Sequence, residues 1–340
     1  MSVQPAGLYP WLRPTYAKLA NLDGNDHHAV LLAAPKGIGH GQLVSRLIEL
    51  KHCSCPNNSA SGQKACGGCQ NCLLHAAGSH PDHIVIKPLE GKAQISIEQV
   101  RACSAKVLNK GLISPYRVVE IDQAHLMTVS AANALLKMLE EPPTNVYFIL
   151  STDQPSQLPA TVLSRCVKTT LERPNPTQSL NWINRQLDKP ISLLDLYLVD
   201  CAPLSALQMG KAGGFEQLHE VLNGYCLVLG AVNAVNFNAQ CISFIEQLRL
   251  LEKSVSHDEM LNLMLWLNNL SLKKHFVPQS IVNEVLAPEQ AKLLTQTSPR
   301  YVLACNSGIV ELRQQLIQNN GINVLLQLQQ VIVNCNQPLN

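Results

Sequence analysis

Aromatic and charged side chains are both scarce in this chain of 340 residues. Phe, Trp and Tyr together make up 4% of the residues, and Asp, Glu, Lys and Arg make up 15%. The scarcity of aromatic rings argues against a surface that holds single-stranded nucleic acid by stacking its bases. The formal net charge is +2, which argues against a protein whose whole surface binds DNA and is compatible with a local basic patch.

Long apolar runs are also missing from the sequence. Crossing a bilayer takes roughly 18 to 20 apolar residues, and the longest candidate, YCLVLGAVNAV at 225–235, is short and contains polar residues. The N-terminal segment MSVQPAGLYPWLRP has no basic stretch followed by an apolar core, so we do not expect a signal peptide. We therefore predict a cytoplasmic protein, in which the 12 cysteines are mostly reduced.

Apolar residues, in contrast, are plentiful. They make up 46% of the chain, enough for large buried cores, and the length is enough for two or three domains. Three apolar runs predict buried strands: HAVLLAAP (28–35), RVVEIDQAH (117–125) and NVYFILST (145–152). Segments with helical spacing, QLVSRLIEL and TVSAANALLKMLEEPP, alternate with them. This alternation indicates a parallel sheet covered by helices on both faces.

The second half of the chain has a different character. The segment LERPNPTQ (171–178) contains two prolines and indicates a linker or the entry to a new unit. From there to the C-terminus the sequence shows helical patterns alone, such as SGIVELRQQLIQNNGINVLLQLQQVIVN at 307–334. The predicted fold is therefore an α/β domain followed by an all-α half.

A group of cysteines lies in HCSCPNNSASGQKACGGCQNC (52–72). Cys66, Cys69 and Cys72 follow the spacing C-x-x-C-x-x-C, with Cys53 or Cys55 upstream. Two-residue gaps let neighbouring thiolates turn onto one ion, and a tetrahedral structural zinc takes four such ligands. The spacing therefore predicts a closed zinc site. A redox pair, an iron–sulfur cluster and a loop of reduced thiols are the alternatives that it leaves open.

The segment AAPKGIGHGQ nearly matches a phosphate-binding loop. The pattern G-x-x-x-x-G-K-[ST] lies between a strand and a helix, and Pro35, Gly37 and Gly39 stand where such a loop turns. His40 occupies the lysine position and Gly41 the hydroxyl position. A largely neutral imidazole thus replaces the phosphate-binding charge, and no hydroxyl remains to bind Mg²⁺. We predict a degenerate loop that does not hydrolyse ATP, although its backbone amides can still hold an anion weakly.

The strand RVVEIDQAH also bears on whether this chain can hydrolyse ATP. In P-loop ATPases this strand ends in an Asp that holds Mg²⁺, commonly followed by a Glu that polarises water. Asp122 is present here, but the next residue is Gln123, whose amide cannot accept a proton. We interpret the pair as a degenerate Walker B motif; a buried strand that ends in a capping acid is the alternative.

The third motif is an arginine in LPATVLSRCVKTTL, within Ser164, Arg165 and Cys166. With a degenerate loop, this arginine has no ATP to act on in its own chain. An exposed guanidinium can instead reach a γ-phosphate that a neighbouring subunit holds and stabilise its transition-state charge. The alternative is a solvated surface arginine.

Taken together, these motifs resemble the AAA+ clamp-loader subunits of bacterial DNA polymerase III, and among them the member without ATPase activity. The resemblance covers about residues 27–170, in the stretches APKGIGHG, ACGGCQNC followed by AGSHPD, ANALLKMLEEPP, and STDQPSQLPATVLSRC. The ATPase members, the gamma/tau subunits, keep the lysine and the hydroxyl of the loop. This chain keeps neither, so the resemblance favours the non-catalytic member.

The resemblance implies three domains. These are an AAA+ domain at 1–172 with a zinc-binding insertion at about 53–72, a helical lid at 173–212 and a helical collar at 213–340. It also implies a rigid stator in a hetero-pentamer with the delta subunit and three gamma/tau subunits, which loads the sliding clamp onto primed DNA. Arg165 would be the arginine finger for the ATP site of the adjacent gamma/tau subunit, and this chain would bind no ATP.

The resemblance further implies the metal ligands, which are Cys53, Cys66, Cys69 and Cys72. Cys53 is favoured as the fourth ligand because Pro56 follows at the family's spacing, and Cys55 is the runner-up. Thr152 matches the position at which ATPase members sense the γ-phosphate.

Two other functions compete with a non-catalytic subunit. One is an active ATPase of the gamma/tau type with a divergent loop, and the other is a zinc-dependent nucleic-acid-binding module, which the low charge and scarce aromatics disfavour. The sequence assigns no role to the group His75, His80 and His83. We predict only that His80-Pro81-Asp82 forms a turn into a strand at HIVIK.

Overall fold

The computed structural model describes residues 7–21, 28–59, 62–108, 113–232, 234–252, 255–272, 288–318 and 322–336. Residues 1–6, the start of the segment predicted not to be a signal peptide, lie outside the described residues, as do 319–321 in the predicted C-terminal helical segment. The chain divides into two compact units, Met1–Pro174 and Asn175–Asn340. None of the described helices is long and apolar enough to cross a membrane.

A five-stranded sheet lies at the centre of the first unit. Its strands are β1 (Ala29–Ala33), β4 (His83–Ile86), β5 (Arg117–Ile121), β6 (Val146–Thr152) and β7 (Val167–Thr170). They lie in the order β4, β5, β6, β1, β7, and every neighbouring pair is parallel. A separate antiparallel hairpin is formed by β2 (Asn57–Ser59) and β3 (Gly62–Lys64).

The helices of the first unit follow the sequence signals for their ends. They are α1 (Arg13–Ala20), α2 (His40–His52), α3 (Gln70–Ala76), α4 (Ile97–Leu108), α5 (Val129–Glu140) and α6 (Ala160–Leu163). Thr128 caps α5, because its hydroxyl accepts a hydrogen bond from the Ala131 amide at 3.2 Å. Pro142 and Pro143 follow the end of that helix, where a proline cannot continue the hydrogen-bond ladder.

The sheet is buried on both faces, as the unbroken apolar runs predicted. Every residue of β1 and of β6 is buried. Leu31 and Phe148 belong to the core cluster that includes residues of α4 and α5. Their neighbours Val30 and Tyr147 point to the opposite face and are 1% and 2% exposed. The predicted parallel α/β architecture is therefore confirmed.

The parallel arrangement gives the sheet two chemically distinct ends. All strands finish at what we call the carboxyl end, so the loops after β1, β5 and β6 come together there. All strands start at the opposite, amino end. Arg165 lies two residues before β7, which runs parallel to β1 with Val167 beside Val30. The topology therefore places the degenerate loop at the carboxyl end and Arg165 at the amino end.

The second unit is helical throughout the residues that the structure describes. Its helices are α7 (Pro176–Asn184), α8 (Leu193–Leu198), α9 (Pro203–Ala212), α10 (Phe215–Gly230), α11 (Phe237–Leu251), α12 (His257–Leu272), α13 (Pro288–Gln296), α14 (Pro299–Gln318) and α15 (Val324–Asn334). Tyr225, in its core, is fully buried and its hydroxyl donates to Asn268 at 2.9 Å. Helix α9 ends at Gly213, whose φ of 70° is left-handed and suits glycine. The predicted all-α half is confirmed.

Candidate functional site

The loop after β1 has the backbone of a phosphate loop. Gly37 and Gly39 adopt φ values of 73° and 84°, which glycine tolerates best, and α2 begins at once with His40. An added Cβ at Gly41 would meet nothing within 4 Å, so packing leaves room for the missing hydroxyl side chain. The loop therefore keeps its shape without the side chains that bind phosphate and magnesium.

The N-terminal segment is tied to this loop and to α2. The Trp11 indole N–H donates to the Ile38 carbonyl at 2.8 Å. The side chain of Gln42, only 6% exposed, accepts from the Tyr9 amide at 2.8 Å and donates to the Gly7 carbonyl at 3.1 Å. A buried amide with both partners satisfied fixes the segment against the first turn of α2.

The polar groups at the carboxyl ends of β5 and β6 bond to one another. Ser151 donates to Asp122 at 2.8 Å. His125 Nδ1 lies 3.0 Å from the Thr152 hydroxyl, which also accepts from the Gln154 amide at 3.0 Å. Burial lowers the pKa of His125, so its ring is neutral at pH 7. The groups at the Walker B and sensor positions are thus engaged inside the fold.

A lysine at the carboxyl end also has a partner. Lys36 lies within the loop with its side chain 84% exposed, and its ammonium is 3.5 Å from Asp153. Such an exposed pair contributes little to stability, about 0 to 1 kcal/mol. Lys36 precedes the glycines and does not occupy the lysine position of the motif, which remains His40.

Arg165 lies at the amino end, just after α6, and is held by a carboxylate. Its guanidinium Nη2 is 2.6 Å from Glu140 Oε1, at the end of α5. Its Nη1 donates to the Thr161 carbonyl at 2.8 Å and to the Ser164 hydroxyl at 3.2 Å. The side chains of Arg165 and Glu140 are 33% and 48% exposed. The arginine is thus accessible, but its charge is paired within the chain.

The cysteine insertion forms a compact thiol cluster. The sulfur atoms of Cys53, Cys55, Cys66 and Cys69 all lie within 4.8 Å of one another. Cys72, the remaining predicted ligand, lies with its sulfur 4.0 Å from that of Cys66 and is 1% exposed. The structure therefore gathers five thiols, including both candidates for the upstream ligand.

The backbone around the cluster favours negative charge on sulfur. The amides of Gly68 and Cys69 donate to Cys66 and lower the pKa of its thiol to about 6. The Cys66 amide in turn donates to the sulfur of Cys53 at 3.2 Å. Gly67 makes the tight turn possible with a φ of 73°. Because metals bind the thiolate, this donor set fits a metal ion held by sulfur.

Two hydrogen bonds anchor the insertion to the rest of the first unit. Asn71, 4% exposed, donates to the Ile113 carbonyl outside the insertion at 3.1 Å, and it also donates to the Ser54 hydroxyl within the insertion at 2.9 Å. The Tyr16 hydroxyl donates to the Gln63 carbonyl in β3 at 2.9 Å. The thiol cluster is therefore tied to the α/β module from two sides.

Sequence reasoning missed several of these partners. Glu140 lies within the motif ANALLKMLEEPP, but no pattern in a single sequence indicates that it forms an ion pair with Arg165. The contacts of Gln42 with the N-terminal segment join residues 33 to 35 positions apart and leave no local pattern. The stacking of His52 on His80, described below, links α2 to a distant turn.

A parallel sheet with an altered phosphate loop, a thiol-rich insertion and a helical second unit is the architecture that the resemblance to AAA+ clamp-loader subunits predicted. The family model described as "DNA polymerase III, delta subunit" matches residues 17–175. The chain is 32% identical over 322 residues to "DNA polymerase III subunit delta'" of Escherichia coli K12, covering 93% of this chain and 91% of that protein.

One further sequence match is shorter, and one solved structure is similar only at low identity. "DNA polymerase III subunit tau/gamma" of Haemophilus influenzae is 34% identical over 156 residues, which cover 46% of this chain and 22% of that protein. A DNA polymerase III gamma subunit-related protein of Thermotoga maritima, solved by crystallography, covers 95% of this chain and 98% of its own, with 15% identity and a TM-score of 0.44. The chain belongs to the delta' subunit family of DNA polymerase III.

Proposed function

We propose that this chain is a non-catalytic subunit of a DNA polymerase III clamp loader and serves its neighbour through Arg165. In the assembly it acts as a stator beside delta and gamma/tau subunits, and the loader places the sliding clamp on primed DNA. Arg165 supplies positive charge to the γ-phosphate that an adjacent gamma/tau subunit binds.

The observation that carries this proposal is the separation of Arg165 from the loop of its own chain. Strand β7 runs beside Val30–Ala33, and the loop follows Ala33, whereas Arg165 precedes β7. Four strand residues at about 3.3 Å each put the two features roughly 13 Å apart along the strand. The arginine therefore lies at the opposite end of the sheet from its own loop, where a neighbouring subunit could bring a nucleotide to it.

The loop itself supports a role without hydrolysis. Neither His40 nor Gly41 offers a permanent charge or a hydroxyl to a magnesium nucleotide. The groups that would complete a nucleotide site, Asp122 and Thr152, are bonded within the fold. We infer that ATP is not bound in this chain in a hydrolysis-competent way.

Reconstitution tests the function as a whole. The chain is mixed with delta and gamma/tau partners, and clamp loading onto primed DNA is measured with and without it. We expect loading to require this chain. In parallel, equilibrium titration of the isolated chain with labelled ATP and Mg²⁺ should show no tight binding. Loading that proceeds equally well without the chain, or tight Mg²⁺-dependent ATP binding, would contradict the proposal.

We also propose that the thiol cluster holds a structural zinc ion through Cys53, Cys66, Cys69 and Cys72. Four thiolates about 2.3 Å from a tetrahedral zinc lie about 3.8 Å from one another. The sulfur of Cys66 lies 4.0 Å from that of Cys72 and 3.4 Å from that of Cys55, so burial distinguishes the two candidates better than distance does. Cys72 lies on α3 and is buried, whereas Cys55 is exposed. We therefore assign Cys55 as the fifth, non-ligating thiol.

Metal analysis of single variants tests this assignment. Cys72→Ser should lose the zinc bound at the thiol cluster and lower the thermal stability of the first unit, because a closed structural site contributes directly to folding. Cys55→Ser is the matched control and should retain that zinc. The reverse pattern, loss in Cys55→Ser and retention in Cys72→Ser, would assign Cys55 as the ligand.

For the helical unit we propose a division into a lid and a collar. The lid would comprise 173–212, which ends where Gly213 terminates α9, and the collar 213–340. The collar would be the oligomerisation domain of the assembly. A fragment of residues 213–340 that fails to associate with partner subunits would contradict this division.

A further inference from the structure

Four histidines converge next to the thiol cluster. His52 ends α2, His75 lies on α3, His80 lies in the turn after it, and His83 begins β4. The rings of His52 and His80 stack with their centroids 3.9 Å apart. The sequence predicted a turn for the HPD stretch and gave no role to these side chains.

Three of the four rings form a nearly equilateral triangle. The ring centroids of His52 and His75 are 5.9 Å apart, and those of His52 and His83 and of His75 and His83 are both 6.0 Å apart. Imidazole nitrogens bind zinc at about 2.0 to 2.1 Å, so three rings on one tetrahedral ion have centroids about 5 Å apart. The observed distances between ring centroids are thus about 1 Å longer than those expected for three histidines bound to one zinc ion.

Several ring nitrogens in this cluster are buried without a hydrogen-bond partner. They are Nδ1 of His75, Nε2 of His80 and one nitrogen of His52, whose ring also bonds the backbone of Asp82. His52 is 0% exposed and His80 is 5% exposed. A buried imidazole carries one N–H and one lone pair, and native proteins rarely leave either unsatisfied. These buried nitrogens therefore mark a place at which a ligand can bind.

The Nε2 atoms of His83 and His75 already have the kind of partner that holds a metal-binding histidine in place. Nε2 of His83 lies 2.8 Å from Glu120 Oε2, and Nε2 of His75 lies 3.3 Å from the Ser45 hydroxyl. A carboxylate or hydroxyl that bonds one ring nitrogen fixes the ring and directs the other nitrogen to the ion. In both rings this leaves Nδ1 as the nitrogen available to an ion, and in His75 that nitrogen is buried without a partner.

We propose that His52, His75 and His83 bind one divalent transition-metal ion of the zinc class, in a site separate from the thiol cluster. Glu120 and Ser45 orient His83 and His75, and His80 packs on His52. Of the described residues, Cys53, Cys55, Cys66 and Cys69 are the group whose ligand atoms already lie within 4.8 Å of one another. The histidine site closes by ring rotations that draw the three rings about 1 Å inward.

Cobalt titration of the whole chain tests this proposal. The protein is stripped of metal under reducing conditions and titrated with Co²⁺, and bound metal is measured after gel filtration. We expect two ions per chain. One of them produces the near-ultraviolet charge-transfer band of thiolate-bound cobalt, and the other binds without increasing that band. A single ion, or two ions that both increase the thiolate band, would overturn the proposal.

Variants locate the second ion. His75→Phe and His83→Phe should each bind one ion fewer and keep the thiolate band, which also reports that the insertion is folded. His257→Gln, in the helical unit, is the control and should keep both ions. Glu120→Gln should weaken only the second ion, about 10- to 100-fold. Two ions of unchanged affinity in all of these variants would overturn the assignment.

Discussion

The two ends of the central sheet use their polar residues in opposite ways. At the carboxyl end, Asp122 and Thr152 are hydrogen-bonded within the fold, and Gln42 holds the N-terminal segment on the loop. At the amino end, Arg165 is partly exposed and is held by Glu140. Because an exposed ion pair is weak, Arg165 can be released at little cost. The polar groups of the carboxyl end are thus engaged within the fold, whereas the amino end includes the accessible Arg165, which we propose acts on a neighbouring subunit.

The amino end contains a buried ion pair, and we expect a single substitution in it to destabilise the first unit. Asp82, before β4, accepts from the Ile113 amide at 2.8 Å and lies 3.2 Å from the Arg117 guanidinium, with side chains 1% and 9% exposed. Asp82→Asn leaves the arginine buried without its counter-charge and should destabilise the first unit by about 3 to 5 kcal/mol. Thermal denaturation followed by circular dichroism measures this, with exposed Asp188→Asn as the control. Equal midpoints for both variants would contradict the structural role.

The carboxyl end should tolerate substitution better. Gln42→Leu removes the partner of the Tyr9 amide and of the Gly7 carbonyl, and we expect a loss of about 1 to 3 kcal/mol. The same denaturation measurement applies, with exposed Gln178→Leu as the control. A loss of unfolding free energy larger than that of Asp82→Asn would show that the carboxyl end is the more sensitive of the two ends to substitution.

Glu140 should restrain Arg165 only weakly. Glu140→Gln removes the negative charge and keeps the size of the side chain. Releasing the Arg165 guanidinium from this partner should then cost about 0.5 to 1 kcal/mol less free energy. In the reconstituted loader this should raise ATP turnover about two- to five-fold. Lower turnover in this variant would instead show that Glu140 positions the arginine for its neighbour.

The sequence predicts the interior of the fold well, because buried parallel strands are unbroken apolar runs. The strands found at 29–33, 117–121 and 146–152 lie within the predicted runs. The prediction of membership in the clamp-loader family is confirmed as well. Strand β7, VKTT, is a partly exposed edge strand without an apolar run, and no strand was predicted there.

The candidate sites were less accessible to sequence reasoning. The absence of a lysine and a hydroxyl in the loop is a local feature and could be read directly from His40 and Gly41. The partner of Arg165 and the histidine triangle depend on how distant segments pack, which spacing along one chain does not encode. The spacing of the cysteines predicted a metal site, but the structure brings five thiols together where four were expected.

ATP hydrolysis by a loader assembled with Arg165→Ala in this chain alone tests the central claim most directly. An arginine finger contributes about 10³-fold or more to the rate at the site that it serves. We expect the assembly to form normally and hydrolysis at the adjacent gamma/tau site to fall by about that factor, with exposed Arg101→Ala as the matched control. Unchanged hydrolysis at that site in the fully assembled Arg165→Ala loader would contradict the account.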